Sequence, residues 1–181
     1  RLMGDKVAAR SAAAAAGVPV VPGSTGRVAG IEEARHILTE TGFPVMIKAA
    51  AGGGGRGIRI AGNLAEFEAA FPQAGAEALA AFGDGGLYME KVIGQARHIE
   101  VQVLGDGMDA VHCYERECSL QRRRQKVWEE APSTALSDRV REELCASAVR
   151  LAREVGYAGA GTVEYLYDDE ADRFYFIEMN T

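Results

Sequence analysis

Cysteine is scarce in this chain, and its spacing carries no chemistry. The 181 residues hold Cys113, Cys118 and Cys145, at intervals that match no zinc or redox motif. An odd count without a signal peptide points to free thiols in a reducing compartment, and so to a cytoplasmic protein. Histidine is as rare: His36, His98 and His112 are scattered, and no zinc site is proposed. Long apolar runs are missing. None approaches the roughly 20 residues of a membrane-spanning helix, so no membrane association is expected. An excess of positive charge is missing too. Twenty Lys and Arg stand against 26 Asp and Glu, a net charge of −6, which argues against general nucleic-acid binding. The start, Arg1-Leu2-Met3-Gly4, is not a signal peptide and lacks an initiator methionine, and "FIEMNT" ends in a strand-like run. A piece excised from a longer protein is expected.

What the chain has in quantity is glycine, 22 residues, four of them consecutive in "KAAAGGGGRGIRI" from Lys48 to Ile60. The run before it, "FPVMIKAA", is short, apolar and partly β-branched, and reads as a buried strand. After it Ile58, Arg59 and Ile60 alternate, the period of a half-exposed strand. Gly52, Gly54 and Gly57 match G-x-G-x-x-G, but that fingerprint must open a helix, and here a strand follows. A P-loop is excluded because no Lys-Ser/Thr pair follows the glycines. Two readings remain: a merely mobile loop, or a hairpin flap whose backbone N–H groups close over phosphates. Lys48 favours the flap, since a lysine in an apolar strand needs an anionic partner.

The rest of the chain falls into alternating elements. "GDKVAARSAAAAAG" reads as a helix stopped by Gly17, and "IEEARHILTETG" as an amphipathic helix stopped by Gly42. Asn63 is placed to cap "LAEFEAAF", which Pro72 is expected to separate from a second helix, "AGAEALAAF". "GLYMEKVI" reads as a strand. "RHIEVQVLGDGMDAVHCYEREC" reads as two strands around Gly105-Asp106-Gly107. "DRVREELCASAVRLAREVG" has Val140, Leu144, Ala148, Leu151 and Val155 at helical spacing. "GAGTVEYLYDDEADRFYFIEMN" reads as a final hairpin with an acidic turn. The expected organisation is α+β: a linking helix and strand over 1–22, one lobe over 23–91, and a second, incomplete lobe over 92–181.

Three constellations carry candidate chemistry. Closing the last hairpin near Asp169–Arg173 places Glu164 opposite Glu178, with Asn180 on the same strand face as Glu178. Facing carboxylates repel, so a cation is expected between them; two carboxylates and an amide suit Mg²⁺ or Mn²⁺ with phosphate oxygens. The bland alternative is a solvated face with two unrelated glutamates. "CSLQRRRQKVWEEAPS" packs Arg122, Arg123, Arg124 and Lys126 together. Most of that cluster reads as a charged surface, with one or two residues reserved for an anion such as phosphate or bicarbonate. "YMEKVI" joins the lobes, where its backbone can bond a flat base or simply pack, and a lone His98 is either structural or a ligand contact.

Together these strings resemble the ATP-grasp superfamily, most closely the biotin carboxylases. That group includes the carboxylase parts of acetyl-CoA, propionyl-CoA and pyruvate carboxylases. "MGDKVAAR", "GVPVVPGS", "IKAAAGGGGRGIRI", "YMEKVI", "RHIEVQVLGD", "ERECSLQRRRQKVWEEAPS", "GAGTVEYLYD" and "FYFIEMNT" run in the family's order along nearly the whole chain. The resemblance implies two α+β lobes enclosing MgATP, a lid with a glycine-rich flap and a second lobe with an antiparallel metal-bearing sheet. It implies that bicarbonate attacks the γ-phosphate to give carboxyphosphate and ADP, and that the released CO₂ is captured by biotin on a carrier domain. By matching position, Lys6 and Lys48 resemble nucleotide-contacting lysines, and Gly54 and Gly55 the flap glycines. Glu90, Lys91, Val92 and Ile93 resemble the adenine hinge. His98 and Arg124 match nucleotide contacts, and Lys126 a bicarbonate contact. Glu164 and Glu178 match nucleotide-linked metal ligands, and Asn180 completes them.

Arg124 stands where the family often has histidine or asparagine, Trp128 where a small aliphatic is usual, and Ala51 shortens the glycine run. The resemblance places the general base and a bicarbonate-orienting arginine beyond Thr181. It also implies a biotinylated carrier domain, a carboxyltransferase component and a homodimer of the full-length protein. Alternatives are another ATP-grasp ligase, such as a carbamoyl-phosphate synthetase, or a non-catalytic ATP-binding fragment. A protein kinase is disfavoured, since no H-R-D or D-F-G is present.

Overall fold

The computed structural model describes residues 3, 6–51, 57–123 and 125–181, with the backbone alone at 6 and 7. The chain divides into two compact units, residues 21–92 and residues 1–20 together with 93–181. Each has its own core. The α+β class read from the sequence is borne out.

The first helix, α1 (Lys6–Ala15), belongs with the second unit. In the 21–92 unit, α2 spans Ile31–Thr41, β1 Val45–Ala49, β2 Ile58–Ala61, α3 Leu64–Phe82 and β3 Leu87–Lys91. The three strands form an antiparallel sheet in the order β2-β1-β3. β1 lies in the middle, and Val45, Ile47 and Ala49 alternate inward against α2 and α3. Asn63 starts α3 as expected: its Oδ1 accepts the Glu66 N–H at 3.0 Å, and the Glu66 carboxylate accepts the Gly62 N–H at 2.7 Å.

The expected break at Pro72 does not occur. α3 runs unbroken through it, with Phe67, Phe71, Ala74 and Ala78 buried on one face. An internal proline costs about 3 kcal/mol. Burying each phenylalanine returns about 1.5–3 kcal/mol, so a continuous apolar face outweighs the missing hydrogen bond.

The other unit contains β4 (Ala96–Asp106), β5 (Ala110–Glu117), β6 (Gln121–Arg122), β7 (Gln125–Lys126), α4 (Asp138–Glu154), β8 (Ala158–Asp168) and β9 (Arg173–Asn180). Four strands form an antiparallel sheet, β5-β4-β8-β9, and β6 and β7 form a separate two-stranded ribbon. Ser137 caps α4, which buries Val140, Leu144, Ala148 and Leu151 as its spacing predicts. Ile99, Val101, Val103, Val163, Tyr165, Tyr167, Phe174, Phe176 and Met179 form one core with α4 and with Ala9 and Ala13 of α1. The period of two then sends His98, Glu100, Gln102, Thr162 and Glu164 to the opposite face.

A bulge in β9 decides which residues join them. Glu164 pairs with Glu178 but Tyr165 pairs with Phe176, so Ile177 is an extra residue. Without it, Glu178 would follow Phe174 and Phe176 into the core. The inserted residue reverses the alternation: Met179 is buried, and Glu178 and Asn180 take the polar face.

Candidate functional site

Register places a row of charge across the polar face of the four-stranded sheet. Arg116 on β5 lies opposite Glu100 on β4, Glu100 opposite Glu164 on β8, and Glu164 opposite Glu178 on β9. Three carboxylates side by side need cations beside them. Arg116 supplies the first, with Nε 2.7 Å and Nη2 2.6 Å from Glu100 Oε1. Lys126 supplies the second. Its ammonium donates to Glu100 Oε2 and, at 2.8 Å, to Glu164 Oε1. Glu100 and Glu164 are each only 3% exposed, so these bonds replace water that neither carboxylate can reach.

Lys126 arrives on a hairpin. Gln121 pairs with Lys126 across β6 and β7, and the same register continues to a bridge between Glu117 and Glu130 at its base. Glu117 is bound there by Ser133 Oγ at 2.7 Å, Arg97 Nη1 at 2.9 Å and Ser119 Oγ at 2.9 Å. Burial pushes the Glu117 carboxyl upward, but these donors outweigh it and hold it below the ordinary range.

The Glu164 carboxylate carries three donors. Besides Lys126, Oε1 accepts the Asn180 amide nitrogen, and Oε2 lies 2.6 Å from His98 Nε2. The Gln121 amide nitrogen lies 2.6 Å from His98 Nδ1 and 3.0 Å from the Cys118 carbonyl. A donor facing Nδ1 leaves the imidazole proton on Nε2, aimed at Glu164. Burial works against ionised Glu164, yet hydrogen bonds from His98 and Lys126 prevail and bring it to about 2. Burial likewise works against the Lys126 cation, and its bonds to Glu100 and Glu164 hold it above the ordinary lysine value. Cys118, 3.5 Å from the His98 carbonyl, is a thiol pushed up to about 12 by burial, and so a packing residue.

Glu178 differs from its neighbours in the row. Among the described residues no hydrogen bond or ion pair reaches its carboxylate, and Glu164 faces it directly. No cluster of three or more His, Cys, Asp or Glu side chains suited to a metal is present among those residues. The pair with Asn180 is thus an incomplete set of hard oxygen donors, which suits a magnesium-type ion that takes its remaining ligands from water or phosphate.

In the 21–92 unit Lys48 finds its anionic partner within the sheet: it pairs with Glu90 diagonally across β1 and β3. Glu90 and Lys91 end β3. The Lys91 and Val92 N–H groups are committed to the Pro22 and Pro44 carbonyls at 2.8 and 2.9 Å, and Ile93 begins the other unit. Lys6 opens α1. Gly54, Gly55 and Arg124 lie outside the described residues. The sequence does not single out Glu100, Arg116 or Gln121, which the structure brings into the site. The alternation His98-Ile99-Glu100-Val101-Gln102 already puts Glu100 beside His98, whereas Arg116 and Gln121 carry no local signal.

The model of the carbamoyl-phosphate synthase L chain ATP-binding domain matches residues 5–181. The chain belongs to this family. It is 56% identical over 179 residues to pyruvate carboxylase 1 of Caenorhabditis elegans, covering 98% of this chain and 15% of that protein. The structure superposes on the biotin carboxylase–β,γ-ATP complex of Campylobacter jejuni with a TM-score of 0.88 at 52% identity, over 99% of this chain and 40% of that one. The biotin carboxylase domain dimer of Hydrogenobacter thermophilus 2-oxoglutarate carboxylase, solved with MgADP, ADP and bicarbonate, gives 0.86 at 50% identity over 99% and 40%. The family member thus spans well under half the length of these relatives. Its fold is the ATP-grasp fold of biotin carboxylases, as the resemblance implied. Among the described residues no helix is long and apolar enough to cross a membrane.

Proposed function

We propose that this segment belongs to a biotin carboxylase, an ATP-dependent ligase that carboxylates biotin on a carrier domain with bicarbonate. The observation that carries the reading is the row Arg116–Glu100–Glu164–Glu178 with Lys126 inserted into it. A cation tethered by two buried carboxylates is a fixed point for a small anion, and the role assigned to it is to hold bicarbonate. Glu178, without a partner among the described residues and beside Glu164 and Asn180, is the place for Mg²⁺ or Mn²⁺. When bound, such an ion neutralises nucleotide phosphates. His98, held in one tautomer by Gln121, presents its Nε2–H toward the same carboxylate and orients it. By resemblance, Lys6, Lys48, Gly54, Gly55, Glu90, Lys91, Val92, Ile93 and Arg124 contact the nucleotide.

Bicarbonate oxygen attacks the γ-phosphorus, the bond to the ADP oxygen breaks, and carboxyphosphate forms. Its C–O bond to phosphorus-bound oxygen breaks to give phosphate and CO₂, and the ureido nitrogen of biotin bonds to the CO₂ carbon as its N–H proton passes to the phosphate. A biotinylated carrier, a carboxyltransferase, a homodimer and a cytoplasmic setting complete the proposal. The test is ADP release by the full-length protein with biotin and bicarbonate. Glu178→Gln should remove most metal-dependent turnover in a folded enzyme, and Lys126→Gln should raise the KM for bicarbonate. Turnover that ignores biotin, or metal-dependent turnover unchanged in Glu178→Gln, would refute the assignment.

A further inference from the structure

We infer that Lys126 and a divalent cation compete for Glu164, so that cation binding transfers Lys126 wholly to Glu100. The inference rests on the metal reading above and concerns what this chain's own lysine does toward that ion. Glu164 Oε1 already accepts two donors, Lys126 at 2.8 Å and Asn180, and His98 takes Oε2 at 2.6 Å. A magnesium ion binds oxygen at about 2.0–2.1 Å. An ion on Oε1 therefore lies no more than about 5 Å from the Lys126 ammonium, wherever around the oxygen it sits. Two cations that close, beside carboxylates almost closed to water, repel strongly.

The geometry also supplies the exit. Arg116 holds Glu100 through Oε1 with two nitrogens and leaves Oε2 to Lys126. Leaving Glu164 thus costs Lys126 one of two carboxylates, and the second keeps it tethered in the same row. The N–H that Glu164 releases becomes a donor for an anion. Linkage makes the effect reciprocal: an anion that draws Lys126 off Glu164 raises cation affinity by the factor by which the cation raises anion affinity. Cation and anion binding are then coupled through one side chain.

The test follows Mn²⁺ alone by the electron paramagnetic resonance of the free ion, in the full-length protein, with folding checked by circular dichroism. Lys126→Gln should bind Mn²⁺ at least about fivefold more tightly than wild type, while Lys126→Arg, which keeps the competing charge, stays within about twofold. Arg122→Gln removes the same charge from an exposed position on the same hairpin and should leave affinity unchanged. Glu100→Gln removes the second carboxylate and should weaken Mn²⁺ binding, an effect that disappears when combined with Lys126→Gln. Equal affinities in wild type and Lys126→Gln would overturn the inference, as would an equal gain in Arg122→Gln, which would reduce the effect to net charge. Mn²⁺ binding that is absent, or indifferent to Glu178→Gln, would overturn the metal reading and this inference with it.

Discussion

Glu178→Gln should make the protein more stable without metal and less stable with it. Glu178 faces Glu164 across β8 and β9, and among the described residues no donor reaches its carboxylate. At roughly 5 Å, two unit charges repel by about 0.8 kcal/mol in bulk water and about 3 kcal/mol at an effective dielectric constant near 20. Lys126 and Asn180 already offset part of the charge on Glu164, and like charges directly opposite in a sheet cost about 0.2–1 kcal/mol. A gain near 1 kcal/mol is expected, or about 2–4 °C in the midpoint of the transition that unfolds this segment. Added Mg²⁺ reverses the order. A site that binds only the folded protein adds about 2.7 kcal/mol at a metal concentration 100 times Kd, and the glutamine variant loses most of that. The assay is thermal unfolding by circular dichroism in EDTA and in Mg²⁺. A variant that melts at or below wild type in EDTA, or that gains as much from Mg²⁺, would refute the facing-carboxylate argument.

Two further perturbations probe the supports of the site. A Cβ at Gly161 would sit 2.9 Å from the Asn180 carbonyl and 2.6 Å from the Tyr157 hydroxyl; Gly161→Ala should push the end of β9 outward, cost about 1–3 kcal/mol and weaken Mn²⁺ binding, and unchanged binding would show that this close approach does not set the position of Asn180. Glu117 has a lowered pKa in the folded state, from an ordinary 4.5, so its contribution to stability is complete above that value and lost as the pH falls below it. Glu117→Gln should therefore flatten the acid limb of stability in urea titrations from pH 6 downward, and a limb as steep as wild type would remove Glu117 as the anchor of the hairpin.

Local order was written in the sequence because short-range chemistry decides it. Asn63 and Ser137 cap helices from within a turn, and the apolar spacing of α4 is a property of the helix itself. The last hairpin was legible for the same reason: Asp168 accepts the N–H groups of Glu170 and Ala171, both at 3.1 Å, and closes the turn in place. Its closure brings Glu164 to Glu178. The sequence could not show that Pro72 stays inside a helix, because the phenylalanine burial that outweighs it belongs to the packed unit. Nor could it show the bulge at Ile177, without which Phe174, Phe176 and Glu178 would share a face. The pairing of β4 with β8 joins residues 52 to 72 positions apart, and only that register sets Glu100 beside Glu164. Lys126 then reaches both carboxylates because its hairpin is anchored at Glu117. Strand register is settled by distant partners and side-chain alternation has a period of two, so a single inserted residue decides whether a charge lies in the core or in the site.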